Sequence, residues 1–255
     1  MNRTWRPFQA ETDTLTTSRA HTNSAEVRTA EPNPRVKSSR AQNKDAPTES
    51  VDRVRSNTLT FRNMHEHGEL LTRYLEARKA IFLDRFGWCV SETDGMEFDQ
   101  YDTPFAHWVI LHQFGEILGG VRMLPTTAKC GIYSYMLRDA QLGMLEDLPT
   151  DILFFPAPVE HNVWEATRFF ITDAVPAVQR RQIQSLLFRS MSRAAAENGG
   201  SYILGVVPAI WSRWARRIGV SATPIGAPFS IDGTASQSVL FEARDFCFEH
   251  DPVDS

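Results

Sequence analysis

Residues 163–207, VWEATRFFITDAVPAVQRRQIQSLLFRSMSRAAAENGGSYILGVV, give the clearest indication of the fold class. The first nine of these residues are rich in β-branched and aromatic side chains and predict a strand. Pro176 then begins a helix that ends at Gly199 and Gly200. SYILGVV predicts a second strand, so strand and helix alternate here as they do in α/β proteins. The helix carries an apolar stripe at helical spacing, formed by Ile183, Leu186, Leu187, Met191 and Ala194.

The sequence before this stretch predicts one helix and one hairpin. HGELLTRYLEARKAIFLDRFGW, residues 67–88, places apolar side chains three and four positions apart, as an amphipathic helix does. HWVILHQF at 107–114 and EILGGVRMLP at 116–125 are separated by a single glycine and predict a hairpin. Gly119 and Gly120 inside the second strand indicate a bulge or a close approach of another segment.

After residue 207 the chain predicts a short helix, AIWSRWARRIG at 209–219, and a last strand, SVLFEA at 238–243. The fold class that follows is α/β, a three-layer α/β/α sandwich around a central mixed sheet. We expect the folded domain to span residues 58–248 and to be followed by a short C-terminal tail at 249–255.

Residues 1–57 are rich in Ser, Thr, Asn, Arg and Pro and show almost no apolar periodicity. Such a composition cannot bury enough surface to offset the entropy of the chain, so we expect a disordered N-terminal tail. The tail is weakly basic, although the whole chain has a net charge of −4. This distribution differs from the clustered basic charge of a nucleic-acid-binding domain, so no nucleic-acid partner is expected.

The sequence lacks the segments and motifs that mark several classes of protein, so those classes are excluded. No run of 18 or more apolar residues is present, and the first residues lack the apolar core of a signal peptide, so we expect a cytoplasmic protein without membrane insertion. A P-loop, a dinucleotide-binding glycine motif and a nucleophile elbow are all missing. Cys89, Cys130 and Cys247 lack zinc-ligand spacing and are expected to be buried thiols, and neither a metal nor another cofactor is expected.

The loop GMEFDQYD, residues 95–102, places three carboxylates among aromatic residues. It is one of four patterns that follow one another along the chain. The others are Arg78 and Phe82 with RFGW at 85–88, RMLPTT at 122–127, and WEATR at 164–168. As a set, the four patterns resemble the acyl-homoserine-lactone synthases, the autoinducer synthases of bacterial quorum sensing.

The resemblance implies a fold like that of the N-acetyltransferases and two substrates, S-adenosylmethionine and an acyl thioester of acyl carrier protein or coenzyme A. It implies that the amine of S-adenosylmethionine is acylated, that the methionyl carboxylate then closes on its own γ-carbon, and that methylthioadenosine leaves. S-adenosylmethionine combines a sulfonium, an ammonium, a carboxylate and an adenine. A pocket for it benefits from the carboxylates and rings that GMEFDQYD brings together.

The resemblance also assigns the residues of the site. Catalytic roles go to Glu165, the candidate base for the attacking amine, and to Arg168 and Asp99. Asp99 and Asp102 are assigned to the cationic end of S-adenosylmethionine and to holding an arginine, whereas Glu97 has no assigned role and is free to face solvent. The substrate-binding residues are Arg78, Phe82, Trp88, Asp102, Arg122, Phe169 and Gly205.

Other interpretations of these residues stay open. The three arginines could be no more than ion-pair partners of Asp99, Asp102 and Glu165, although a buried network is costly to keep for stability alone. Phe82 and Trp88 are also ordinary core residues. Glu165 and Arg168 would point to opposite faces of a regular strand because their spacing is odd. Either the strand is irregular there or one of the two residues is structural.

Two further expectations concern the acyl donor and the acyl group. Arg181 and Arg217 lie among arginines of the two late helices and would steer an acidic acyl carrier protein, unless they form only a solvated face. Gly205 falls about where relatives with a 3-oxoacyl preference carry a threonine. This glycine predicts an unsubstituted, branched or bulky acyl group.

Two rival functions remain. An ordinary acetyl-coenzyme A N-acetyltransferase usually carries a glycine-bearing pyrophosphate loop before its long helix, and AVQRRQIQSLL at 177–187 has no glycine. A non-catalytic ligand sensor would not need the complete charged set of the four patterns.

Overall fold

The computed structural model describes residues 53–209, 211, 215, 220–231 and 233–243. The α-helices in that part of the chain are α1 Leu70–Lys79, α2 Met136–Gln141 and α3 Ala177–Glu197. The strands are β1 Arg55–Leu59, β2 Glu92–Thr93, β3 Met96–Glu97, β4 His107–Gln113, β5 Glu116–Pro125, β6 Val163–Ile171, β7 Tyr202–Pro208, β8 Thr223–Pro224, β9 Phe229–Ile231 and β10 Thr234–Glu242.

Eight of these strands form one central sheet in the order β1, β4, β5, β6, β7, β10 and β8, with β9 also paired to β10. Neighbouring strands run antiparallel except β6 and β7, which are parallel. A parallel pair needs a crossover connection, and α3 lies in the connection between these two strands. The mixed sheet predicted from residues 163–207 is therefore confirmed.

Helices cover both faces of this sheet. Phe169 and Phe170 are neighbours on β6, yet the Phe170 ring lies 5.6 Å from the ring of Tyr74 on α1, and the Phe169 ring lies 4.8 Å from that of Phe188 on α3. Adjacent strand residues point to opposite faces, so α1 and α3 lie on opposite sides. The three-layer α/β/α sandwich is confirmed.

The helix predicted at 67–88 is shorter and less regular than expected. A 3-10 helix spans Met64–His67, α1 begins at Leu70, and the α-helix passes into a π-helix at Ala80–Arg85. π-Helical turns are rare and occur frequently at functional sites. This one carries Phe82, one of the predicted substrate-binding residues.

Gly119 and Gly120 of β5 lie where a second segment approaches closely and where the strand pairing contains a bulge, as predicted. A Cβ atom on Gly120 would lie 2.5 Å from Cε2 of Tyr74, so the glycine allows α1 to approach the sheet closely. Gly120 pairs with Phe170 and Arg122 pairs with Thr167, which leaves one β5 residue opposite two residues of β6. This β-bulge contains Arg168, whose φ of 58° is in the left-handed region.

The parallel pair of β6 and β7 is short. Only Val163–Glu165 pairs with Tyr202–Leu204, although β6 continues to Ile171 and β7 to Pro208. The strands therefore part beyond Glu165 and leave a gap in the sheet.

The core bears out most of the predicted stripe of α3. Ile183, Leu187, Met191 and Ala194 are buried, whereas Leu186 is only half-buried and Phe188 is buried in addition. The described residues contain no helix long and apolar enough to cross a membrane.

Some of the sequence predictions need correction, and others fall on residues that the structure does not describe. The domain boundary predicted at residue 58 falls inside β1, which begins at Arg55. Cys89 and Cys130 are exposed, so the prediction of buried thiols was wrong for both. Cys247, residues 1–52 and 249–255, and most of the helix predicted at 209–219 lie outside the described residues.

Candidate active site

Three arginines and three carboxylates meet on the α1 face of the sheet. The arginines come from α1, β5 and β6, and the carboxylates come from β3 and the loop that follows it. The most exposed of the six side chains, that of Asp99, is only 9% accessible. We call this group the charged cluster, and its members are Arg78, Arg122, Arg168, Glu97, Asp99 and Asp102.

Arg78 holds two carboxylates of the cluster. Its Nε lies 2.5 Å from Oε2 of Glu97. Its Nη1 and Nη2 donate to the two carboxylate oxygens of Asp102 at 2.7 and 3.0 Å. The paired contact with Asp102 is bidentate, an arrangement that fixes both side chains.

Arg122 joins the two aspartates of the loop. Its Nη1 lies 2.5 Å from Oδ1 of Asp99 and 3.0 Å from Oδ2 of Asp102. Its Nη2 donates to the other oxygen of Asp99 at 3.2 Å. Nε donates to Oγ1 of Thr167 at 3.1 Å, so all three guanidinium nitrogens are used.

Arg168 reaches the cluster because of the bulge. Its Nη2 lies 3.0 Å from Oε1 of Glu97 and 3.0 Å from Oδ2 of Asp99. Nη1 is buried and has no hydrogen-bond partner among the described residues. Of the two alternatives for Glu165 and Arg168, the irregular strand is the one observed, and it turns Arg168 to the α1 face.

Glu97 differs from its expectation, because it is fully buried and does not face solvent. Its carboxylate contacts Arg78 with one oxygen and Arg168 with the other. Its position in β3, the second strand of a short hairpin, points it inward toward α1. Glu97 is thus the link between two arginines that the sequence placed 90 residues apart.

The arginines keep the buried carboxylates ionised. Although burial opposes ionisation, Arg122 and Arg78 hold the pKa of Asp102 well below its usual value. Burial also opposes the ionisation of Glu97, yet Arg168 and Arg78 lower its pKa. Both groups therefore carry a negative charge at neutral pH.

Aromatic side chains form one wall of the cluster. The rings of Phe82 and Trp88 are stacked with their centroids 4.6 Å apart. The guanidinium carbon of Arg168 lies 5.4 Å from the Phe82 ring and 6.0 Å from the Trp88 ring. Both rings are buried, so they are core residues as well as neighbours of the site.

Glu165 lies next to the charged cluster and is held by α2. Its carboxylate oxygens accept the backbone N–H groups of Met136 at 2.9 Å and Leu137 at 2.8 Å. Burial raises the pKa of Glu165 to about 7, although these N–H groups and Arg122 act in the opposite direction. A carboxyl group that changes its protonation state near neutral pH is suited to general base catalysis. The alternative interpretation made Glu165 an ion-pair partner of an arginine, but among the described residues Glu97, and not Glu165, pairs with Arg78 and Arg168.

Not every predicted residue belongs to this group. Phe169 and Gly205 lie on the α3 face, where a Cβ on Gly205 would meet the carbonyl of Ala166 at 3.2 Å and the Phe241 ring at 4.0 Å. Arg181 is exposed on α3. Arg217 lies outside the described residues.

Three polar neighbours of the site were not identified from sequence. Trp108 donates from its indole Nε1 to Asp102 at 3.0 Å. The hydroxyl of Tyr101 donates to Asp139, a buried carboxylate of α2, at 3.1 Å. Tyr101 is in the quoted acidic loop and could have been identified there, whereas no motif or periodicity marks Asp139.

The fold and this site describe an α/β protein with a buried charged cluster, and a carboxyl group suited to general base catalysis beside it, on one face of a mixed sheet. The model of a protein family described as autoinducer synthase matches residues 62–250. The chain belongs to this family and is a transferase.

Relatives of known activity agree with this assignment. An acyl-homoserine-lactone synthase of Pseudomonas aeruginosa is 27% identical over 169 residues, which cover 65% of this chain and 76% of the relative. One from Aeromonas hydrophila is 28% identical over 178 residues, covering 69% and 80%. The crystal structure of TofI in a ternary complex with an inhibitor and MTA is 28% identical, has a TM-score of 0.59, and matches over 74% of this chain and 91% of that chain.

Proposed function

We propose that this chain is an acyl-homoserine-lactone synthase that acylates the amine of S-adenosylmethionine from an acyl thioester, closes the lactone and releases methylthioadenosine. The observation that carries the proposal is the charged cluster, in which a buried guanidinium nitrogen of Arg168, beside a stacked aromatic pair, has no hydrogen-bond partner in the part of the chain that the structure describes. The relatives named above, TofI with its bound MTA among them, support the same reaction.

The cluster offers a complementary group to each part of S-adenosylmethionine. The free Nη1 of Arg168 would hold the methionyl carboxylate. Asp99, the carboxylate most open to the site, would face the ammonium and sulfonium. Phe82 and Trp88 offer ring surface to the sulfonium and the adenine. Arg78, Asp102 and Arg122 would then set the shape of the pocket from behind.

The first chemical step is acyl transfer. The neutral amine attacks the thioester carbonyl carbon, a C–N bond forms, and the C–S bond breaks to release a thiolate. Ionised Glu165 takes the proton that the amine loses, directly or through a water, and then passes it to the thiolate, so that the free thiol leaves. The Met136 and Leu137 N–H groups fix the Glu165 carboxylate while leaving each oxygen a second lone pair.

The second step is lactone closure. The methionyl carboxylate attacks its own γ-carbon, the C–O bond forms, and the bond from this carbon to the sulfonium breaks. Arg168 would orient the carboxylate toward that carbon, and no proton needs to move. Methylthioadenosine leaves as a neutral molecule, which has less affinity for Asp99 than the sulfonium had.

The acyl group would reach the amine through the gap between β6 and β7. The pairing of the two strands ends at Glu165, and Phe169 and Gly205 lie on the α3 face of the strand segments beyond that point. The absence of a side chain at Gly205 supports an unsubstituted, branched or bulky acyl group. Acyl carrier protein and acyl-coenzyme A remain alternative donors, and the cytoplasmic location and the lack of a cofactor remain predictions.

The test is mass spectrometry of spent medium from a lactone-free bacterial host that expresses the full chain. A homoserine-lactone fragment ion is expected, and the mass of its parent ion gives the acyl group. Purified protein with S-adenosylmethionine and a panel of acyl-coenzyme A and acyl carrier protein thioesters should also release methylthioadenosine. A product dominated by 3-oxoacyl lactones would overturn the Gly205 prediction, and no lactone with any donor would overturn the function.

Carrier docking is tested by charge reversal. Arg181→Glu and Arg217→Glu together should raise the KM for acyl carrier protein thioesters and leave the KM for S-adenosylmethionine unchanged. Equal changes in the two KM values, or no change in either, would show that these arginines take no part in donor binding.

A further inference from the structure

The carboxylate of Asp139 is buried without a counter-charge. No arginine or lysine pairs with it among the described residues, and none of its surface is accessible. It accepts instead the backbone N–H of Ser134 at 3.0 Å, the hydroxyl of Ser134 at 2.5 Å and the hydroxyl of Tyr101 at 3.1 Å. A buried ionised group is retained only when such donors compensate its desolvation. The proposed mechanism gives Asp139 no part.

One of these bonds reaches the loop that carries the carboxylates of the charged cluster. Tyr101 lies between Asp99 and Asp102, and it is 2% exposed. The guanidinium carbon of Arg122 lies 5.6 Å from its ring, and its backbone N–H donates to Oδ1 of Asp99 at 2.8 Å. A shift of Tyr101 would therefore move both Arg122 and Asp99.

The other bonds reach the segment that holds Glu165. Ser134 lies two residues before Met136, and Met136 and Leu137 donate the N–H groups that fix Glu165. Asp139 folds back over this first turn of α2 to accept two bonds from Ser134. Its carboxylate thus keeps the turn in the conformation that aims both N–H groups at Glu165.

We propose that Asp139 and Tyr101 form a positioning pair, in which Asp139 ties the acidic loop to the first turn of α2 and so fixes Asp99 relative to Glu165. This proposal rests on the proposed function, because that function gives Asp99 and Glu165 their roles. Neither member touches the reacting atoms. Each acts through a neighbour that does.

Asp139 also acts on Glu165 through its charge. Burial is the largest cause that raises the pKa of Glu165, and the negative charge of Asp139 adds to it. Replacing Asp139 by Asn keeps the shape and an acceptor for Ser134 but removes this charge. The pKa of Glu165 should then fall, because its ionised form no longer faces a second negative group.

A double-mutant cycle on the full chain tests the pair, with lactone formation as the assay. Tyr101→Phe should raise the KM for S-adenosylmethionine about tenfold in the wild-type background, because it removes a hydrogen bond to a charged acceptor. In the Asp139→Asn background the same change should raise it no more than about twofold. Asp139→Asn alone should move the acidic limb of the pH profile of kcat/KM to lower pH.

Tyr135→Phe is the matched control. Tyr135 is also a buried tyrosine of this region, but its hydroxyl donates to the carbonyl of Pro158 and not to Asp139. The fold-changes that Tyr135→Phe and Asp139→Asn cause in the KM for S-adenosylmethionine should therefore multiply in the double variant. Thermal unfolding of each variant separates a general loss of stability from a change in KM.

Two results would overturn the proposal of a positioning pair. One is that the fold-changes of Tyr101→Phe and Asp139→Asn in the KM for S-adenosylmethionine simply multiply in the double variant. The other is that the acidic limb of the pH profile does not move in Asp139→Asn. Should Asp139→Asn fail to fold, Tyr101→Phe alone decides, since an unchanged KM for S-adenosylmethionine excludes a positioning role. Failure of the proposed function is distinguishable, because the wild-type chain would then form no lactone.

Discussion

At the scale of single residues, each member of the charged cluster has a neighbour of opposite charge. Glu97 shows this most clearly, since it alone contacts both Arg78 and Arg168. A buried ion pair adds little net stability, but the loss of one partner leaves the other charge desolvated and unpaired. Glu97 is therefore needed for folding as well as for the geometry of the site.

Glu97→Gln should lower the free energy of unfolding by about 3 kcal/mol, because two buried guanidinium groups lose a counter-charge. Denaturant unfolding measures the change. Glu92→Gln is the matched control, since Glu92 pairs with Glu97 across the β2–β3 hairpin but is exposed. It should change stability by no more than about 0.5 kcal/mol. Equal losses in both variants would contradict the role of Glu97.

The raised pKa of Glu165 predicts how the reaction depends on pH. Its pKa is raised to about 7, so the carboxyl is largely protonated at pH 6 and ionised at pH 8. A base must be ionised to accept a proton, so kcat/KM, which reports the free enzyme, should rise with pH through about 7 and then level off. Glu165→Gln should lower kcat by about 10²–10⁴-fold and remove this rise.

Glu146→Gln, at an exposed position beyond α2, is the control and should keep the wild-type profile. A wild-type kcat/KM that is flat between pH 6 and 8 would argue against Glu165 as the base. So would full activity of Glu165→Gln.

At the scale of secondary-structure elements, the β-bulge of β6 decides which face receives Arg168. In a regular strand Glu165 and Arg168 would face opposite sides. The extra residue, taken up at a φ of 58° on Arg168, brings both onto the α1 face. The left-handed conformation is unfavourable for any residue with a Cβ, so the bonds to Glu97 and Asp99 must offset that strain.

This strain can be measured by comparing two variants that both lack the guanidinium. Arg168→Gly should be more stable than Arg168→Ala by about 1 kcal/mol, because only glycine adopts this φ without strain. Denaturant unfolding under identical conditions gives the difference, and both variants should be inactive. Alanine at least as stable as glycine would mean that the bulge relaxes when the side chain is lost.

At the scale of the whole molecule, the edge strand β1 belongs to the folded domain. It pairs along its full length with β4, and the side chain of Asn57 contacts that of His112 at 2.8 Å. A domain that starts at residue 58 therefore loses the first three residues of a five-residue strand.

A chain that starts at residue 58 should melt about 4 °C lower than one that starts at residue 53, because it loses ladder hydrogen bonds to β4. Thermal unfolding followed by circular dichroism gives both midpoints. Asn57→Ala in the longer chain is the control that removes only the contact with His112, and its loss should be smaller. Equal midpoints for the two truncations would show that these residues add nothing.

Hydrophobic patterns and motifs were enough to predict the layers of the fold and the composition of the site. Alternating patterns in 107–125 and 163–207 identify the central strands and α3, because hydrophobic periodicity records which face of an element is buried. The four motifs identified five of the six members of the charged cluster.

How those residues contact one another could not be predicted in this way, because it depends on the packing of distant segments. The burial of Glu97, the turn of Arg168 onto the α1 face and the link from Tyr101 to Asp139 join segments 19 to 71 residues apart. Sequence periodicity describes one element at a time, and such contacts depend on the register and bulges of neighbouring strands. The charges were therefore visible in the sequence, but their partners were set by packing.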